Sequence, residues 1–171
     1  GIVDAIHAEI AHHRAGRPAR IRLKANSLVD EAIVDALYLA SQAGVEVEVL
    51  VRGICALRPG VPGLSENVTV RSVLGRFLEH SRIFWFAGGG TPEAWVGSAD
   101  MMHRNLDRRV EVLVKLPDEE ARTTVGNLLD LAMDDDTVAW ELAADGAWKR
   151  NAGTVHLQET LIENQRRRHR G

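Results

Sequence analysis

Apolar residues recur at helical spacing in the opening stretch "IVDAIHAEIAHHR", where Ile2, Ala5, Ile6 and Ile10 share a face, and "AGRP" stops the pattern. The period then changes to two. In "ARIRLKA", Ile21 and Leu23 fall on one face and Arg20, Arg22 and Lys24 on the other, as in a strand. "NSLVDEAIVDALYLASQAG" returns to helical spacing, with polar Asn26 and Ser27 at its start and Gly44 just past its end. "VEVEVLV" reads as the next strand. Strand, helix and strand in this order form a βαβ unit, which predicts a parallel pair joined by a right-handed crossover.

Beyond it lies a loop rich in Pro and Gly, "RPGVPGLSEN", then a short strand "VTVRSV" and a turn around "GRFLEH". A strand through Ile83–Phe86, a turn "AGGGTPE" and a strand "AWVGS" follow. "MMHRNLDR" reads as a loop and "RVEVLVKL" as a strand. A helix is expected over "PDEEARTTVGNLLDLAM", with Pro117 and three acids suiting its first turn. "TVAWELAADGAWKR" suggests a hairpin about Asp145-Gly146, and "TVHLQETLIENQRRR" a closing helix. The Trp residues 85, 95, 140 and 148 are assigned to the core, and His7, His12 and His13 to a solvated helix face. The pattern as a whole predicts an α/β fold with helices flanking a sheet.

The bulk numbers narrow the partners. With 171 residues, 45% of them hydrophobic, the chain suits one compact domain over residues 1–171. A net charge of −3 gives no basic field for nucleic acid, and the arginines of the terminal "QRRRHRG" read as a frayed, solvated end. Cys55 is the only cysteine, so no intrachain disulfide forms, and no apolar run is long enough to cross a bilayer. With no signal peptide visible either, a cytoplasmic protein is expected. The chain opens with Gly rather than Met, directly into a helical pattern, which suggests a piece of something longer.

Candidate chemistry gathers at the strand ends, where βαβ units place ligands. His80 and Arg82 are two residues apart at the entry to a buried strand, so alternation aims them the same way. "VGSAD" adds Gly97, Ser98 and Asp100 at the end of a neighbouring strand. A phosphoryl site needs such parts. Histidine serves as nucleophile or acid, arginine offers a planar fork for phosphate oxygens, Gly97 admits the phosphate to the backbone and Ser98 donates to it. Lys24, Arg52, Arg104, Arg108 and Arg109 stand near the same sheet edge. Glu79 and Glu111 are candidate bases, or partners for these arginines. "GGG" at 88–90 lacks the following Lys-Ser/Thr of a phosphate-binding loop and reads as a turn. By spacing alone, a structural histidine is the commoner outcome, and the set goes no further than a candidate phosphate site.

Two resemblances extend this reading. His80-Ser81-Arg82 with Gly97-Ser98-Ala99-Asp100 resembles the phospholipase D superfamily signature, H-x-K-x4-D followed by G-S-x-N. Arg82 replaces the lysine, Ala87 the aspartate and Asp100 the asparagine, which counts against ordinary phosphodiesterase activity. The longer resemblance, through "NSLVDE", "LVRGIC", "PGLSEN", "RFLEH" and "SADMMHRNLDRR", is to the carboxyl-terminal phospholipase D-like domain of bacterial polyphosphate kinases. It covers residues 1–135 and extends to the end of the chain.

That resemblance implies a phospholipase D-like mixed β-sheet flanked by helices. It implies an enzyme that moves the terminal phosphate of ATP reversibly to polyphosphate, with Mg2+, through a phosphohistidine in an upstream domain that no stretch here matches. His80 then corresponds to a second active-site histidine acting as acid or base, and a protonated His80 would neutralise charge on the β–γ bridging oxygen. Arg52 corresponds to a contact of the nucleotide phosphates, and Arg109 to a basic wall, with Arg82 and Ser98 beside them. The implied partners are ATP or ADP, polyphosphate and the upstream domains, in a homo-oligomeric full enzyme that uses no nucleic acid and in which no metal is held by these site residues. The piece alone is then expected to be inactive. Two other readings are a homodimeric phospholipase D-like phosphodiesterase and a non-catalytic polyanion-binding module.

Overall fold

In a computed structural model, residues 1–98, 100–102 and 112–168 are described. The chain opens with α1 (Ile2–Arg14), β1 (Arg20–Ala25), α2 (Glu31–Gln42), β2 (Glu46–Val51) and β3 (Val68–Ser72). It continues with β4 (Arg82–Phe86), a short 3-10 turn over Gly88–Gly90, β5 (Glu93–Gly97) and β6 (Leu113–Lys115). Last come α3 (Glu119–Met133), β7 (Trp140–Leu142), β8 (Trp148–Arg150) and α4 (Leu157–Arg168). The strands form one mixed sheet in the order β6-β5-β4-β1-β2-β3-β7-β8. β1, β2 and β3 run parallel and every other pairing is antiparallel. The expected mixed sheet flanked by helices is thus what forms. None of the described helices is long and apolar enough to cross a membrane.

Alternation along the strands sorts the two faces of the sheet. Ile21, Leu23 and Ala25 of β1, Val47, Val49 and Val51 of β2, and Phe84 and Phe86 of β4 pack with Ile6 and Ile10 of α1 and with Ile33, Leu37 and Ala40 of α2. The opposite face has a smaller apolar cluster where Leu50 and Val73 meet Ala132, Ala139 and Leu157. The rest of that face is charged yet buried. Arg22 of β1 pairs in register with Glu48 of β2, its Nε donating to Oε2 at 2.6 Å, while Nη1 reaches Asp130 of α3 at 2.7 Å. Arg20 completes the ladder with Glu46 and Glu48, and Arg71 of β3 pairs with Glu141 of β7 and with Asp135. The polar half of "ARIRLKA" therefore faces a second layer of protein rather than solvent.

Three local expectations are corrected. Helix α2 begins at Glu31, with the Asp30 side chain accepting from the Ile33 amide as N-cap. Asn26 and Ser27 lie outside it, because Leu28 is drawn into bridges with Cys55 and Met101 and holds the chain extended first. Pro117 likewise precedes the N-cap of α3, which is Asp118. Trp95 packs edge-on to Phe86 and Trp85 lies beneath Arg22, but Trp140 and Trp148 are each 37% exposed on the terminal hairpin. That hairpin, turning at Asp145-Gly146, is at the edge of the sheet and has one face open to water.

The charge ladder predicts a contrast in stability. Removing one member of a buried pair strands the other, whereas exposed pairs contribute little. Glu48 is 8% exposed. Glu48→Ala is expected to lower unfolding stability by about 3 kcal/mol, the lower end for a broken buried pair because Asp130 still holds Arg22. Glu46→Ala, at an exposed rung, is expected to cost about 0.5 kcal/mol or less. Urea denaturation of the two variants measures the difference.

Candidate active site at the strand ends

Three segments leave the carboxyl ends of the strands and are stitched together by backbone hydrogen bonds. The Gly53 amide donates to Asn26 O at 2.7 Å, Leu28 and Ile54 bond, and the amides of Val29 and Asp30 both donate to Met101 O. This fixes Asn26, Arg52 and Asp100 side by side. Residues 79–82 then pass across the end of the sheet and contact both of its faces.

On the apolar face, Arg82 and Asp100 form a two-pronged pair. Nε donates to Oδ1 at 3.2 Å and Nη2 to Oδ2 at 3.0 Å, with both residues buried. Asn26 donates to the same carboxylate through its backbone amide at 2.8 Å and its side-chain amide at 3.2 Å. Arg82 Nη1 donates back to His80 O at 2.6 Å and lies 2.8 Å from His80 Nδ1. A guanidinium has only donors, so Nδ1 is the acceptor and the ring proton is on Nε2. His80 and Arg82 therefore do meet, and the imidazole presents an Nε2–H on an exposed side chain.

On the charged face, Lys24 reaches the same loop. Its ammonium is 2.9 Å from Glu79 Oε2 and donates to Ser81 Oγ at 2.7 Å. Gln158 of α4 donates to Glu79 Oε1 at 2.7 Å. Arg52 Nη1 donates to the Glu79 carbonyl at 2.7 Å. Burial pushes the Glu79 carboxyl up, but Gln158, Lys24 and the Arg52 charge together hold it below the ordinary glutamate range. Asp100 behaves alike, with burial outweighed by Arg82 and the two Asn26 donors.

The cations differ in what remains to them. Lys24 is matched by Glu79 and Arg82 by Asp100, whereas Arg52 is held by a carbonyl oxygen. Among the described residues its Nε and Nη2 make no hydrogen bond to protein. Arg52 is thus held in place but keeps donors and charge for an external anion, beside the His80 Nε2–H. The carboxylates here are already committed to cations, and the described residues include no cluster of three metal-ligating side chains. They do not by themselves form a magnesium cage.

Ser98 follows β5, and the register Arg82↔Gly97 sets it at the same sheet end, where its hydroxyl accepts from the Val112 amide at 3.3 Å. The space a Cβ would need at Gly97 is filled by Val112 O and Leu113, so this glycine admits the neighbouring strand rather than a phosphate. Arg104, Arg108, Arg109 and Glu111 lie outside the described residues. Sequence reasoning missed Gln158. It is 79 residues from Glu79 on a separate helix, and no local pattern links them.

The two lowered carboxyls fix the sign of a pH dependence. A carboxyl held below its unfolded value adds stability above that value and loses it as pH falls through the folded one. The stability gap between wild type and Asp100→Asn is expected to be full above about pH 5 and to shrink towards about pH 3, since an unfolded aspartate titrates near 4. Urea midpoints across that range check it.

The comparisons agree with the geometry. The family described as "Polyphosphate kinase C-terminal domain 2" matches residues 1–160. The chain is 62% identical to a polyphosphate kinase of Streptomyces coelicolor and 57% identical to one of Mycolicibacterium gilvum, over 98% and 99% of its length. In each case it spans 23% of the relative, so it corresponds to about a quarter of those proteins. The crystal structure of polyphosphate kinase from Porphyromonas gingivalis superposes with a TM-score of 0.92 at 33% identity, covering 98% of this chain and 26% of that one. NucT from Helicobacter pylori, at 14% identity and a TM-score of 0.52 over 74% of this chain and 86% of its own, shares the fold. The chain belongs to the polyphosphate kinase family, to which it corresponds as C-terminal domain 2.

Proposed function

We infer that this chain supplies one wall of a phosphoryl-transfer site in a longer polyphosphate kinase, which moves the terminal phosphate of ATP reversibly to polyphosphate. The observation that carries the reading is the pairing of Arg52, with its unspent donors, and the His80 Nε2–H at one sheet end. Arg52 binds and orients the nucleotide phosphates. His80, its Nδ1 occupied by Arg82, directs Nε2–H at the phosphoryl group and hydrogen-bonds the oxygen on which charge builds. In such transfers positioning and charge stabilisation supply most of the rate.

Arg82 and Lys24 act from behind, since their charges are already matched by Asp100 and Glu79. Ser98 and Arg109 belong to the same wall in this reading. The phosphohistidine resides in an upstream domain, and Mg2+ arrives with the nucleotide phosphates as part of the substrate. The chain by itself is expected to be inactive as a kinase, because only one side of the phosphate path is present. Cytoplasmic location and assembly of the full enzyme into homo-oligomers belong to the same proposal.

The test uses a full-length polyphosphate kinase carrying this sequence. Removing one hydrogen-bond donor aimed at developing charge costs roughly 10²–10³-fold in rate, so His80→Ala is expected to lower kcat by that order. A charge-assisted hydrogen bond contributes about 1.5–3 kcal/mol, so Arg52→Ala is expected to raise KM for ATP by roughly 10- to 100-fold. Wild-type rates from His80→Ala sink the reading. Cleavage of a chromogenic phosphodiester by the chain alone favours a phospholipase D-like homodimer instead. Polyphosphate binding indifferent to both substitutions favours a non-catalytic module.

A further inference from the structure

We propose that Gln158 is a positioning residue for the His80–Arg52 site, acting through the Phe77 backbone and Glu79 without touching substrate. The proposal rests on the function read above. Residues 73–81, which carry His80, have neither helix nor strand, so no hydrogen-bond ladder holds them. Burial holds them only at their start, where Val73 is in the apolar cluster: Leu74, Phe77 and Leu78 are 62%, 56% and 74% exposed. A segment placed in this way needs a polar clamp, and Gln158 provides one. Its Oε1 accepts from the Phe77 amide at 2.8 Å, and its Nε2 donates to Phe77 O and to Glu79 Oε1, each at 2.7 Å.

The clamp is anchored from behind. Leu157, the preceding residue, is 2% exposed in the apolar cluster with Leu50 and Val73, which fixes the first turn of α4 against the sheet. Gly75 leaves the space that the Gln158 carboxamide occupies, since a Cβ there would overlap Oε1 and Cδ. On the other side Glu79 passes the constraint on, its carboxylate to Lys24 and its carbonyl to Arg52, with His80 as the next residue. A helix more than seventy residues later in the chain thus sets the position of the imidazole relative to Arg52.

The experiment again uses the full-length kinase, with Gln158→Met, which keeps the volume and removes all three hydrogen bonds, Gly75→Ala, which displaces the carboxamide, and the double variant. Displacements of about 1 Å cost about 10²-fold in rate, so each single variant is expected to lower kcat by roughly 10- to 100-fold. KM for ATP should move by a smaller factor than kcat, because the Arg52 guanidinium and its open donors are kept and only one of its contacts is disturbed. The melting temperature should stay within about 2 °C of wild type. Because both changes break one clamp, the double variant should match the worse single within about twofold.

Unchanged kcat in Gln158→Met overturns the proposal. So does a loss that follows the melting temperature and recovers in a cooler assay, or losses that multiply in the double variant. His80→Ala, run alongside, separates the two ideas. If it abolishes activity while Gln158→Met does not, only the clamp is wrong; if it is silent, the site reading falls and the clamp with it.

Discussion

A guanidinium buried as deeply as that of Arg82 persists only where its charge and its fork of donors are both matched. Asp100 matches both with two parallel hydrogen bonds, and the other features of the sheet end follow from that pair. The same carboxylate takes both Asn26 donors, so it ties the segment after β1 to the start of β4. The same guanidinium faces His80 Nδ1, so it selects the tautomer and turns the ring. Electrostatics, loop path and proton position are three consequences of one ion pair.

The rest of the charged face obeys the same rule. Strand register sets Arg22 against Glu48 and Arg71 against Glu141, and α3 adds Asp130 where one carboxylate would leave the guanidinium under-bonded. Cations in such a ladder are structural, since drawing one away for a ligand leaves a buried carboxylate alone. This separates two kinds of basic residue that look identical in composition. Lys24 and Arg82 shape the site, while Arg52, supported by a carbonyl, still has charge to give. Among the described residues, this sheet end therefore presents one guanidinium with open donors and one imidazole N–H, on a floor of compensated charge.

The strands were legible in the sequence because period-two alternation carries them, and the βαβ unit from their alternation with a helical period; the meeting of His80 with Arg82 was legible because a span of two residues is local, although His80 precedes β4 and is not in it. The terminal hairpin was legible from Asp145-Gly146. The burial of Arg22 and Lys24 was not, since an alternating strand looks the same whether its polar face meets water or a second layer with carboxylates. The start of α2 was misread because Asn26 and Ser27 are good caps in isolation, and the competing pull of Leu28 comes from Cys55 and Met101, distant in sequence. Gly97 was given to phosphate for the same reason: what fills its vacant side is the backbone of a partner strand. Asp100 was visible as a departure from a family signature, but only the fold shows that the departure completes an ion pair.

His80 stands on a segment with no ladder of its own, yet its backbone neighbours are tied to β1, to the end of β2, to residue 100 and to α4. All of those ties lie within this chain. The placement of His80 beside Arg52 is therefore set by contacts within this chain, and a ligand bound at this edge need not supply the entropy of arranging it. Among the described residues of this edge, the groups whose geometry is fixed and whose donors stay open are the His80 imidazole and the Arg52 guanidinium, and it is the ion pairs behind them that keep them so.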